Sequence, residues 1–197
     1  MRKILLLWLV ALGMATPALA ASDEAARAFV EDVAAKTIAI VKTDAAESTK
    51  QAELEDLFRP VVDVPFVGRF VLGQHWRAAT PAQQKEYLAA YGPFLMKHYI
   101  GRLVKYSGQE VKVTKAVSEK NGSIMVTMAV INPGQENFFV EYRLQPAGKS
   151  FKLIDIVVEG VGLLASQRSE FNAVVNNKGL DYLIEALKKK TASAETA

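Results

Sequence analysis

The stretch from Ile154 to Phe171 constrains the fold more than any other part of this chain. It begins with a β-branched run that is typical of a strand and changes after Gly160 to apolar residues at helical spacing. A strand therefore leads directly into an amphipathic helix. The stretch contains no cysteine, no histidine and no convincing nucleophile, so we expect it to contribute shape and apolar surface. That indicates a protein that holds a lipid and does not cut one.

The first twenty residues predict a cleavable signal peptide. Arg2 and Lys3 precede a continuous apolar run, and Ala18-Leu19-Ala20 supplies the small-x-small cleavage pattern. The apolar run of about 11 residues is shorter than the roughly 20 that span a bilayer, and no charged residue stops transfer, which argues against a retained anchor. We expect export to the periplasm, a single domain at residues 21–190 and a disordered tail at residues 191–197.

Charge and cysteine content narrow the function classes. The chain has no cysteine, so the exported protein must rely on packing and not on disulfides. Of its 24 lysines and arginines, Arg2 and Lys3 lie in the leader, which leaves 22 against 21 acidic residues. A net charge near +1 without a concentrated basic stripe argues against nucleic-acid binding. The Lys188-Lys189-Lys190 run is typical of a solubilising helix end.

Helical patterns flank the middle of the chain. Ser22 is expected to cap a helix to about Thr43, and a polar patch separates it from a second helix that ends near Pro60. Asp63 is expected to cap a short apolar helix that Gly73 ends, with His75 and Trp76 in a loop beyond it. The Thr80-Pro81-Ala82-Gln83 segment opens a long helix to about Tyr106, in which Gly92-Pro93 predicts a kink.

From Glu110 onward the apolar period changes to two, which predicts four strands. They cover about 110–117, 123–131, 136–146 and 150–159, and turn residues at Asn121-Gly122, Asn132-Pro133-Gly134 and Gly148 join them. Such short connections predict an antiparallel meander. Two more helices follow, to about Asn176 and from Leu180 to Lys189. The fold class is therefore α+β, with the helices on one face of the sheet, an arrangement that can leave an apolar pocket between the layers.

A search for chemistry finds no catalytic residue, metal site or cofactor motif. The two histidines, His75 and His98, have no carboxylate or cysteine at ligand spacing. No phosphate-binding glycine loop or nucleophile elbow is present. Asp155 and Glu159 share one face of a strand, where acid-base chemistry is an alternative to a structural role such as pairing with Arg143 or capping the next helix.

Three segments together resemble the MlaC family of periplasmic phospholipid-binding proteins, also called toluene-tolerance auxiliary proteins. They are GQHWRAATPAQQKEY from Gly73, YSGQEVKV from Tyr106 and DIVVEGVGLLASQRSEF from Asp155. The resemblance covers nearly all of the chain after residue 20. It implies helices wrapped on an antiparallel sheet, a deep apolar pocket for acyl chains, and no enzymatic activity.

The resemblance also implies partners and a set of pocket residues. The family shuttles lipid between an outer-membrane lipoprotein complex and an inner-membrane ABC transporter complex with its substrate-capturing subunit, and a monomer is expected. On this chain, apolar residues of the short helix, the long helix, the sheet and the strand-to-helix junction are the expected lining. These are Phe66, Val67, Phe70, Val71, Tyr91, Phe94, Leu95, Tyr99, Val126, Met128, Phe138, Val140, Val157, Val161 and Leu164.

The chain departs from the family pattern at two positions, and more than one function stays open. Gly162 stands where the family usually has serine, and Gln167 where an aromatic residue is common. The Tyr106-Ser107-Gly108 and Gln167-Arg168-Ser169 segments resemble the branch from hopanoid-producing bacteria, which implies a polycyclic lipid as an alternative ligand. A cone-shaped α+β enzyme for a small apolar substrate and a structural adaptor with a filled core also fit the sequence.

Overall fold

The computed structural model describes residues 17–104, 109–131 and 136–193. Most of the predicted signal peptide, the Tyr106-Ser107-Gly108 segment, the Asn132-Pro133-Gly134 turn and residues 194–197 lie outside them. The described elements are α1 (Pro17–Val41), α2 (Glu47–Phe58), α3 (Val64–Leu72), α4 (Gln74–Ala78), α5 (Pro81–Leu103), β1 (Glu110–Ser118), β2 (Ile124–Ile131), β3 (Phe138–Ala147), β4 (Ser150–Val158), β5 (Val161–Gly162), α6 (Leu163–Lys178) and α7 (Leu180–Ser193).

Local capping residues set the ends of α3 and α5, as the sequence predicts. The Asp63 carboxylate accepts a hydrogen bond from the Phe66 amide at 2.9 Å, and Gly73 follows α3 with φ of 58°. Thr80 and Gln83 form a reciprocal capping box, in which the Gln83 amide donates to Thr80 Oγ1 at 3.2 Å. Helix α5 then continues through Pro93 to Leu103.

Helix α1 starts earlier than the sequence predicts. It begins at Pro17, so Ser22 lies inside the helix and does not cap it. Proline suits a first helical position, and the alanines and leucine that follow it favour helix, so the turn before Ser22 continues the same helix. The helix contacts the sheet at the residue after Ser22, where Ser118 Oγ of β1 donates to Asp23 Oδ1 at 2.5 Å.

The sheet is an antiparallel meander of five strands, not four. Its order is β1-β2-β3-β4-β5, and each strand pairs with its neighbour in the chain. The fifth strand is the pair Val161–Gly162, which the sequence places at the start of a helix. Glu159 and Gly160 have φ values of 50° and 79°, which form the tight two-residue turn that brings Val161 opposite Val158. Two residues are too few for a period of two to be recognised.

One face of the sheet, here called the front face, packs against α1. The period of two predicted for the third strand is confirmed, because every second residue of β3 belongs to the core on this face. These are Phe138, Val140, Tyr142 and Leu144. Ala26 and Val30 of α1 are buried against the front face, and the Phe29 and Phe151 rings lie 5.6 Å apart. The front-face core contains Val113, Ile124, Val126, Met128, Val130, Leu144 and Leu153, with Phe138, Val140, Tyr142 and Ile156 packed beside them.

Helix α2 adds Phe58 to the same front-face core, and the expectation that all helices share one face stays a prediction. Helices α3 and α6 adjoin β4, and α5 and α7 pack beyond them. The residues before α3 lie along β4, where Val62 and Leu153 form an isolated parallel bridge. In it the Leu153 amide donates to the Val61 carbonyl oxygen at 2.8 Å. Gly68 lets α3 approach α5 closely, because a Cβ there would lie 2.7 Å from Leu88 Cδ2.

Two further helical segments differ from the sequence prediction. His75 and Trp76, expected in a loop, lie in the short helix α4. Helix α7 continues to Ser193, so residues 191–193 of the predicted tail are helical. A tertiary contact accounts for this extension, because Lys97 Nζ donates to the Thr191 carbonyl oxygen at 2.8 Å.

Candidate functional site

Helices α5, α6 and α7 enclose an open groove of about 560 Å³. Its floor is apolar: Phe94 of α5, Phe171 of α6, and Leu183 and Leu187 of α7 are all less than 10% exposed. A volume of this size lies within the range of small-molecule and lipid pockets, which are lined mostly by apolar groups with a few polar ones at the mouth. We call this feature the α5–α7 groove.

An aromatic cluster supports the floor of the groove. The Tyr91 ring packs edge-on against Phe171 at 6.0 Å and stacks on Tyr87 at 5.4 Å. Both tyrosines are fully buried, and each finds a hydrogen-bond acceptor: Tyr91 donates to Gln167 Oε1 at 2.6 Å and Tyr87 to the Gly68 carbonyl at 3.1 Å. Burial raises the pKa of Tyr91 far above its ordinary value, so the hydroxyl stays protonated and acts as a donor.

The mouth of the groove is polar and mainly basic. His98, Arg102, Glu170 and Lys190 line it, and Lys97 joins His98 and Lys190 in an adjoining hollow of about 300 Å³. Arg102 Nη2 lies 3.3 Å from His98 Nε2. Because a guanidinium can only donate, His98 accepts through Nε2 and is neutral in this arrangement.

The residues predicted to line a pocket fall into two separate cores and a surface group. The helical core around the groove floor contains Phe66, Val67, Val71, Tyr91, Phe94, Leu95, Tyr99 and Leu164. The front-face core beneath α1 contains Val126, Met128, Phe138 and Val140. Val157 is buried on β4, whereas Phe70 is 41% and Val161 59% exposed. Of this set, Phe94 and Tyr99 line the α5–α7 groove directly. The lipid-binding role of all fifteen residues stays a prediction.

Sequence reasoning missed the α6 and α7 residues of the groove floor. Phe171, Leu183 and Leu187 belong to the same core as Tyr91 and Phe94. Leu183 and Leu187 are four residues apart, which is the signal that marks one face of a helix. That signal shows a buried face, but it does not identify the helix that covers it.

Asp155 has the structural role that the sequence favours over acid-base chemistry. Its Oδ1 accepts a hydrogen bond from the Leu164 backbone amide at 3.3 Å, which caps α6. Its Oδ2 accepts a hydrogen bond from Arg143 Nη1 at 3.2 Å. Burial raises the pKa of Asp155, while the Leu164 and Ile156 amides and the Arg143 guanidinium oppose that shift. The carboxylate is therefore fully used within the fold.

Replacing Asp155 with alanine is expected to destabilise the protein by about 1–3 kcal/mol, because α6 loses its cap and Arg143 keeps only Glu119 as an acidic partner. Urea unfolding followed by circular dichroism measures this change. Asp155→Asn keeps an oxygen for the Leu164 amide and should cost less than Asp155→Ala. An alanine variant as stable as the parent would contradict the capping role.

The histidines do not form a metal site in the described part of the chain. His75 Nε2 lies 2.9 Å from Asn172 Oδ1, and His98 faces Arg102. Within residues 17–104, 109–131 and 136–193, no cluster of three or more potential metal ligands occurs. In the same residues, no helix has both the length and the hydropathy needed to cross a bilayer.

Comparison with known proteins identifies the family. The model of the MlaC protein family matches residues 31–189. This chain belongs to the MlaC family. The resemblance found in the sequence is thereby confirmed, although the hopanoid-associated branch stays a prediction.

Relatives of this MlaC-family chain include two curated proteins and a solved structure. The intermembrane phospholipid transport system binding protein MlaC of Haemophilus influenzae is 24% identical over 140 residues, which are 68% of this chain and 64% of that protein. The toluene tolerance protein ttg2D of Pseudomonas putida is 25% identical over 147 residues, which are 73% of this chain and 68% of that protein. A Ralstonia solanacearum phospholipid-binding protein, solved with a phospholipid, aligns with a TM-score of 0.74 at 22% identity over 86% of this chain and 98% of that one.

The structure describes the surroundings of Gly162 and Gln167, the two positions expected from the sequence to depart from the family pattern. Gly162 is the residue before α6 and offers no capping side chain, and Asp155 of β4 caps the helix in its place. Gln167 is only 7% exposed, and its side-chain oxygen accepts a hydrogen bond from the Tyr91 hydroxyl.

Proposed function

We propose that this chain is a periplasmic lipid carrier that holds phospholipid acyl chains in an apolar pocket. The observation that carries the proposal is the match of the MlaC family model to residues 31–189. The apolar floor and polar mouth of the α5–α7 groove supply a surface suited to an amphipathic ligand. The predicted signal peptide places the mature protein in the compartment between two membranes.

The physical reason for a carrier is the cost of exposing acyl chains to water. Each methylene that leaves water contributes about 0.8 kcal/mol, so a pocket that covers a chain needs apolar surface and no reactive group. The same energy opposes spontaneous release. Delivery therefore requires a partner that opens the pocket, and we assign this role to an inner-membrane ABC transporter complex and an outer-membrane lipoprotein complex.

Acyl chains would enter across the groove floor, over Phe94 and Phe171. The tyrosine cluster behind these rings is already filled by its own packing, so the groove walls must move apart to admit two chains. The front-face residues Val126 and Met128 would be reached only if α1 also moved, since α1 covers them. The groove is therefore the first contact site in this proposal, and the pocket between the layers is the deeper one.

The test is extraction of native lipid from protein purified out of the periplasm. We expect mass spectrometry of the solvent extract to find about one lipid per protein, and none in an equally purified periplasmic protein of similar size. Phospholipid masses support the main proposal, and polycyclic triterpenoid masses support a hopanoid ligand. Protein that emerges without lipid, and takes none up from vesicles, would contradict the carrier function.

A further inference from the structure

Three cationic side chains line one end of the groove mouth. Lys97 and Arg102 of α5 and Lys190 of α7 form what we call the basic rim, around His98. Glu170 is the single carboxylate among the groove-lining residues of the described chain.

Tertiary contacts place these charges together. Lys97 Nζ donates to the Thr191 carbonyl, which joins the end of α7 to α5. Lys190 Nζ lies 6.0 Å from the centre of the Phe94 ring, so an ammonium group stands directly beside the apolar floor. An anion held at the rim would therefore have its apolar part over Phe94.

The cations of the rim act on His98, which lies between them. Its pKa lies below the ordinary value, first because of burial and then because of Arg102 and Lys190, and Glu170 opposes the shift only in part. Burial disfavours a charge of either sign, whereas the Arg102 and Lys190 cations disfavour a proton on His98 and favour an anion beside it. A zwitterionic head group brings its own ammonium into this region, whereas an anionic head group does not.

We infer that the α5–α7 groove selects lipids with a net negative phosphodiester head group, such as phosphatidylglycerol, over zwitterionic lipids with the same acyl chains. Arg102 and Lys190 contact the phosphate, and the chains lie over Phe94 and Phe171. This inference rests on the proposed function and adds the class of lipid head group to it.

The test offers delipidated protein equimolar vesicles of phosphatidylglycerol and phosphatidylethanolamine at low salt, and measures the ratio of extracted lipids by mass spectrometry. We expect an anionic preference of about fivefold or more, which is the factor that one charge pair at about 4 Å supplies in water. Arg102→Gln/Lys190→Gln should bring the ratio close to one, with total bound lipid within about twofold of the parent. Lys112→Gln/Lys115→Gln removes the same charge from exposed positions on β1 and should leave the ratio unchanged.

The outcomes separate this inference from the carrier function. Equal extraction of both lipids by the parent protein, or an anionic preference that survives in the rim variant, would overturn the inference and leave the carrier function standing. No uptake from either vesicle would overturn both. If inorganic phosphate at the same concentration as the lipid displaced the bound lipid, the rim would be a site for a soluble anion. Protein that floats with anionic vesicles while extracting both lipids equally would assign it to membrane attachment, and either result overturns the inference.

Discussion

Replacing Ala186 with tryptophan is expected to abolish lipid binding. Ala186 lines the α5–α7 groove from α7, beside Leu183 and Leu187 on the floor. An indole ring there would occupy the space over the floor. Excluding about four methylenes at ~0.8 kcal/mol each weakens binding by about 3 kcal/mol, or more than a hundredfold in affinity. Lipid content after extraction, and uptake from vesicles, measure the loss.

The matched control for this variant is Ala89→Trp. Ala89 is an exposed residue of α5 that does not line the groove, so the same substitution there should leave lipid binding unchanged. Thermal unfolding of both variants checks that the fold survives. If Ala186→Trp kept its full lipid content with an intact fold, the groove would not be the entry site. The front-face residues Val126, Met128, Phe138 and Val140 would then be the better candidates.

Removing the Tyr91 hydroxyl is expected to cost about 1–3 kcal/mol of stability. Tyr91→Phe leaves Gln167 Oε1 buried without its 2.6 Å donor, and an unsatisfied buried polar group carries its full desolvation cost. Tyr91→Ala also creates a cavity beside Phe171 and should cost about 3–5 kcal/mol, the range for truncating a buried aromatic residue. Chemical denaturation at constant lipid content measures both changes.

A double-mutant cycle separates the hydrogen bond from packing. In Tyr91→Phe/Gln167→Leu both partners are apolar, so most of the stability lost in Tyr91→Phe should return. Tyr87→Phe is the matched comparison, because Tyr87 donates to a backbone carbonyl and its loss cannot be rescued at Gln167. A double variant less stable than Tyr91→Phe alone would show that Gln167 contributes by its shape and not through this bond.

Local patterns predicted most of the secondary structure because the deciding interactions are short in sequence. The caps at Asp63 and Thr80 act on amides three residues away, and each turn of the meander lies between adjacent strands. The prediction was wrong where an element is too short to show a period, or where a distant contact decides the outcome. Strand β5 exists because Val161 pairs with Val158 across a two-residue turn, and α7 extends to Ser193 while its end is held by Lys97.

The candidate site could be predicted only in part. Its aromatic members Tyr91, Phe94 and Tyr99 follow from the helical period of α5, but a period shows only that a side faces inward. It does not tell whether the partner is α1, another helix or a ligand. The predicted residues accordingly fall into two separate cores, and the groove depends on Phe171 and Leu187 from helices that follow the sheet.

The sequence alone determined the α+β class, the antiparallel meander, the main helix caps and membership of the MlaC family. These features depend on periodicity, on contacts within a few residues, and on motifs that stay in order along the chain. Only the tertiary structure decided that the Tyr91 hydroxyl donates to Gln167, and that Lys97, Arg102 and Lys190 meet at one groove mouth. The physical reason is that packing joins residues about 75 to 95 positions apart, and no local pattern encodes which of them will meet.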